Sequence, residues 1–130
     1  MPTTEHWTDA PDAHDYPAAE DYLSLLTTPE VAHKLAERLQ SAQLQYRKAK
    51  DLLRASGLPV LDPTNIHVAK DLAKVKKGTP LSPVLLVRGE LAAGVSLTVA
   101  DGYHRICASH HLDENADIPC RIADLPVPPA

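Results

Sequence analysis

Between Pro83 and Ile122 the chain switches between short apolar runs and helical periodicity. Pro83-Val84-Leu85-Leu86-Val87-Arg88 reads as a strand, Gly89 to Gly94 as a hairpin connection, and Val95 through Ala100 as a second strand adjacent and antiparallel to the first. Asp101-Gly102 halts that β-prone run, and Tyr103-His104-Arg105-Ile106-Cys107-Ala108 opens a short helix reaching His110. A polar loop, Asp113-Glu114-Asn115-Ala116-Asp117, then leads into a closing strand, Ile118-Pro119-Cys120-Arg121-Ile122.

The first half of the chain has a helical period instead. Ala18 to Leu26 predicts a short helix with Tyr22, Leu25 and Leu26 on one face. Thr28 as N-cap, Pro29 at the first helical position and Glu30 in the first turn then start another helix. Its apolar positions Val31, Leu35, Leu39, Ala42, Tyr46, Ala49 and Leu53 recur every three or four residues, which predicts one long helix over 29–55, ended by Gly57 and Pro59. Such a seam would pack on its own domain or pair with a second copy as a homodimer. A further helix over 66–77 carries Ile66, Ala69, Leu72 and Ala73 inward and Lys70, Lys74 and Lys77 outward, and Gly78 and Pro80 close it.

Composition narrows the class. A chain of 130 residues is one domain with a modest core, and the absence of Phe leaves that core to Leu, Val, Ile and Ala. The organisation expected is a disordered acidic arm over 1–17, a helical segment over 18–58, a compact domain over 59–124 and a Pro-rich tail over 125–130. The fold class is α+β, a small mixed sheet with flanking helices plus the long N-terminal helix. No apolar run approaches the roughly 20 residues a membrane span needs, and no signal-peptide pattern opens the chain, so a cytoplasmic protein is expected. Cys107 and Cys120 read as small buried hydrophobes in a reducing compartment.

The net charge of −4 hides an asymmetry. Residues 1–30 carry seven acids and no Lys or Arg, whereas residues 31–77 carry ten Lys or Arg against four acids. Basic helices raise nucleic acid as a partner, although few aromatic side chains accompany them.

The candidate chemistry lies at the strand-to-helix junction. A helix N-terminus presents unpaired N–H groups and a positive dipole end, and His104 and Arg105 sit beside it, so the natural occupant is a phosphate or another small anion. Gly102 allows close backbone approach, and the Arg105 guanidinium offers a fork of donors suited to phosphate oxygens. A guanidinium of Arg105 tied up in an internal ion pair, with that corner filled by packed side chains, would rule that reading out. Asp101 is either the N-cap, accepting from the His104 N–H, or a magnesium ligand beside a bound triphosphate. His104 is open to three readings: a phosphate donor, a metal ligand together with Cys107, His111 and Asp101, or a surface histidine. No usual zinc spacing is present, so no built-in metal site is expected.

The order of the Lys-rich helix, Pro80-Leu81-Ser82-Pro83-Val84-Leu85-Leu86-Val87-Arg88-Gly89, a second strand, Asp101-Gly102-Tyr103-His104-Arg105, a small helix and Ile118-Pro119-Cys120-Arg121-Ile122 resembles the ParB/sulfiredoxin-like superfamily over about residues 62–124. The resemblance implies a nucleotide site in which Gly102 admits a phosphate, His104 and Arg105 donate to it, Lys70, Lys74 or Lys77 opposes its charge, and Ser82 is a weaker contributor. The attacking cysteine of sulfiredoxins falls on Tyr103, and a phenol cannot replace a thiolate in that chemistry, so sulfiredoxin activity is not expected. The acidic residue of the ParB motif falls on Tyr103 too, and no helix-turn-helix follows Asp124.

The function expected is a regulatory module that binds a nucleotide or a phosphorylated small molecule, with a nucleoside triphosphate and magnesium as the implied cofactor. Two other classes use the same features. One is a phosphotransferase, NTPase or nuclease-like enzyme on the same pocket; the other is a nucleic-acid-binding adaptor. No general base is evident beside the pocket, which places the enzyme behind the binder.

Overall fold

The computed structural model describes residues 5–125. The residues 126–130 of the Pro-rich tail and the first four of the acidic arm lie outside them. Five helices, α1 (Asp15–Leu23), α2 (Pro29–Ser41), α3 (Ala49–Ser56), α4 (Ile66–Lys76) and α5 (Tyr103–Leu112), surround four strands, β1 (Gln45–Lys48), β2 (Val84–Val87), β3 (Thr98–Asp101) and β4 (Asp117–Ala123). The sheet order is β1-β4-β2-β3, with β4 parallel to β2 and the two other pairings antiparallel. The fold is α+β with a mixed sheet, and the hairpin between β2 and β3 turns through a short 3-10 segment at Leu91–Ala93.

All four residues of β2 are buried, because both faces of the sheet are covered. Val84 and Leu86 point into a core shared with Ala49, Leu52 and Leu53 of α3, Val68 of α4 and Ile106 of α5. Leu85 and Val87 point the other way, onto Ala19 and Leu23 of α1 and Ala32, Leu35 and Leu39 of α2. Two-residue alternation along one strand thus feeds two hydrophobic layers.

Those two layers explain why the long helix over 29–55 does not form. The backbone leaves the helical region at Ala42 (φ −69°, ψ 146°), and Gln45 to Lys48 pair with Cys120 to Asp117. Leu35 and Leu39 serve one face of the sheet, Ala49 and Leu53 the other, and β1 carries the chain between them. Tyr46, a member of the predicted seam, is 63% exposed. The homodimer seam expected over 29–55 is therefore absent as a continuous surface, and its leucines are buried within the chain.

Three further expectations are corrected. Residues 5–17 are not a loose arm: the Leu81 N–H donates to His6 O at 2.8 Å, the Thr8 N–H donates to Leu81 O at 2.8 Å, and the Ser109 hydroxyl donates to Glu5 Oε2 at 2.5 Å. Helix α1 starts at Asp15 rather than Ala18 and buries Asp15, Ala19 and Leu23, leaving Tyr22, Leu25 and Leu26 exposed. Helix α4 buries Val68 and Val75 rather than Ile66, which is 77% exposed. The same helix has a cap that its sequence carries plainly, Asn65, whose Oδ1 accepts from the His67 and Val68 N–H groups.

Candidate anion-binding cleft

The turn between β3 and α5 is built on Gly102, whose φ of 108° lies where side chains are rarely tolerated. A Cβ there would run into the Val84 side chain and lie 2.8 Å from Arg105 Nη2. Gly102 is thus required twice over, for its backbone angle and for the close packing beneath it. No side chain caps α5, and the Ile106 N–H closes the first turn on Gly102 O at 3.1 Å. The N-cap role expected of Asp101 is not realised. Its carboxylate turns to Arg105 instead, with Oδ2 accepting from Nη2 at 2.9 Å.

This junction opens into a cleft of about 320 Å³ between the N-terminus of α5, helix α4 and the arm. Of the residues singled out from sequence, Lys70, Lys74, Ser82, Asp101, Gly102, His104 and Arg105 all line it. Lys77 does not: it is the C-cap of α4, one turn beyond. Ser82 lines the wall but is buried and donates its hydroxyl to Asp15 Oδ2 at 3.0 Å, so it supports a carboxylate rather than a ligand.

Arg105 is mostly internal. Its side chain is 16% exposed; Nη2 serves Asp101 and lies 4.0 Å from Asp15 Oδ2, and Nε is buried with no hydrogen-bond partner among the described residues. The free bidentate fork expected of it is therefore half committed. Asp15 is the hub behind it, accepting from the Ser82 hydroxyl and from the Asp12 N–H at 3.1 Å, with His14 Nε2 3.4 Å away. Burial pushes the Asp101 carboxyl above its ordinary range and the neighbouring Asp15 adds to the rise, while Arg105 opposes both.

Sequence reasoning missed His67, Asp71, Asp12, His14 and Asp15. Lys70 and Asp71 both lie three or four residues from His67 and from Lys74, which puts the four on a single face of α4, a signal that was present in the chain. His67 and His104 bring their rings to 4.6 Å between centroids at a 41° tilt, and Tyr103 continues the row at 5.7 Å from His104. Tyr103 donates its hydroxyl to Pro59 O and so is anchored away from the cleft. Burial pushes His104 below the ordinary histidine range, helped by His67 and Arg105 and opposed by Asp71. Asp71 is pushed upward by its own burial, against Lys74, Arg105, His104 and Lys70.

Asp12, His14 and Asp15 place their ligand atoms within 4.8 Å of one another. The contacts of Asp15 with Ser82, the Asp12 N–H and His14 account for that grouping without a metal ion. The metal reading of His104 with Cys107 and His111 fails on geometry, since Cys107 is buried in the core and His111 Nε2 lies 2.6 Å from Leu61 O. Comparison with models of known families, with curated proteins and with solved structures returns no match.

Proposed function

We propose that the chain is a binding module for a nucleotide or another phosphorylated small molecule, with the phosphate seated in the cleft at the N-terminus of α5. The observation that carries this reading is the convergence of Lys70 and Lys74 from α4, His104 and Arg105 from α5 and an uncapped helix start on one opening. Lysine ammonium groups and backbone N–H groups supply the direct contacts, while Asp101 holds Arg105 in place. The ParB/sulfiredoxin-like resemblance of residues 62–124 points to the same ligand class, and the order α4, β2, β3, α5, β4 is compatible with it.

Magnesium, if it accompanies a triphosphate, enters with the ligand. The carboxylate proposed to hold it, Asp101, already accepts from Arg105, which leaves that oxygen committed within the protein. The adaptor reading has less to draw on, because Lys34 and Arg38 of α2 and Lys50 and Arg54 of α3 lie on helices that pack opposite faces of the sheet.

The test is a thermal-shift panel of nucleotides and phosphorylated metabolites with and without magnesium, followed by calorimetry on the ligands that respond. A stabilising ligand whose affinity falls about thirtyfold in the double variant Lys70→Ala/Lys74→Ala is the result expected, since two charge-assisted contacts of on the order of 1 kcal/mol each are lost. A protein that no phosphorylated ligand shifts would overturn the reading.

A further inference from the structure

The fixed charges around the cleft cancel. Lys70, Lys74 and Arg105 stand against Asp12, Asp71 and Asp101, and Asp15 of α1 lies behind them on the far side of Arg105. A polyanion entering this opening meets no net positive charge unless a proton comes with it. Three imidazoles line the same wall, His14 from the arm, His67 from α4 and His104 from α5. Two of them, His67 and His104, are in ring contact at 4.6 Å, and this neighbour adds to the burial that disfavours a charge on His104 while the cleft is empty.

We propose that the cleft takes up a doubly charged oxyanion together with a proton held by the His67–His104 pair, so that ligand affinity rises as the solution becomes more acidic. The inference rests on the phosphate-cleft reading above and adds its regulation. An anion seated against the two rings supplies the counter-charge that the empty site lacks, and protonation then becomes favourable. By linkage the proton strengthens the anion by the same factor as the anion strengthens the proton. The other charged and titratable groups lining the cleft with the pair are Asp12 and His14 from the arm, Lys70, Asp71 and Lys74 from α4, Arg105 from α5 and Asp101 from β3, with Asp15 behind Arg105 and the Tyr103 ring beside His104. Burial lowers the His104 pKa in the free protein, so counter-charge from a bound anion favours taking up the proton there.

Sulfate is the probe of choice, because its charge is constant across the histidine range and any pH dependence then belongs to the protein. Calorimetric titration of the full chain with sulfate at about pH 8 and about pH 6 is expected to show affinity rising by up to about tenfold per pH unit for one linked proton. Repeating the titration in buffers of different ionisation heat counts the protons taken up by the unmodified protein. The double variant His67→Asn/His104→Asn should bring the affinity ratio between the two pH values close to one, whereas His110→Asn, on α5 outside the cleft, should leave it unchanged. Sulfate binding of equal strength at both pH values, with no proton uptake, overturns the coupling and leaves the cleft reading standing. A ratio that survives both cleft substitutions also overturns it. No binding of sulfate or pyrophosphate at any pH overturns the cleft reading and the coupling together.

Discussion

Arg105 Nη2 lies 2.9 Å from Asp101 Oδ2, so the ion pair spans the turn that starts α5, and both side chains are largely withdrawn from solvent. The pair fixes the guanidinium but consumes part of its charge. Asp101→Asn keeps the shape and removes that charge, leaving Arg105 with Asp15 as its remaining carboxylate neighbour. Stability is expected to fall by about 1 kcal/mol in urea unfolding, while affinity for sulfate increases. Weaker sulfate binding in a folded variant would show that the hold of Asp101 on Arg105 matters more to the ligand than the charge it consumes.

Gly102→Ala is expected to be more damaging than Asp101→Asn. The residue would have to hold a φ near 108° with its Cβ against Val84 and Arg105 Nη2. A loss of about 2 kcal/mol follows from backbone strain and overpacking. The denaturation midpoint checks it, and an unchanged midpoint would mean that the junction can re-form around a side chain.

The acid limb of stability should carry a signature of His104. Its folded pKa lies below the 6.5 of the ordinary group, mainly through burial. The native state therefore binds fewer protons than the unfolded chain, and a contribution present above pH 6.5 is lost as pH falls through the folded value. His104→Gln should flatten that decline in urea midpoints measured without added anion. Glu5, Asp71 and Asp101 have raised carboxyls and act in the opposite sense, favouring the native state as pH falls through their folded values. An identical decline in wild type and variant would place the titrating group elsewhere.

Neither cysteine should react while the protein is folded. Cys107 and Cys120 are free and buried, and burial pushes the Cys120 thiol up to about 11 and the Cys107 thiol above its usual range. A thiol reagent at neutral pH is expected to label both only as fast as the chain unfolds. Rapid labelling of native protein would contradict the packing of α5 and β4.

Short-range signals were legible in the chain because they involve neighbours. The β2–β3 hairpin, the Thr28 cap of α2, the start of α4 and the Gly102 turn are each decided within a few residues, and each is where the sequence places it. Long-range competition was not legible. The periodicity from Val31 to Leu53 is real, yet Gln45 to Lys48 gain a strand partner some 70 residues away, and two short helices on opposite faces of the sheet bury the same leucines better than one rod could. The site divides in the same way. Gly102, His104, Lys70 and Lys74 were visible from local pattern, whereas Asp15, buried at 3% exposure beneath Arg105, sits in a Pro- and Asp-rich stretch with no periodicity to mark it.

The docking of residues 5–15 has a practical consequence for anyone preparing this protein. A shortened version starting where helical periodicity first becomes obvious, near residue 18, would omit Asp15 and strip Ser82 of its acceptor and Arg105 of its second anionic neighbour. Ligand screens on such a fragment would interrogate a more cationic and less ordered opening, and hits found there would say little about selectivity in the intact chain.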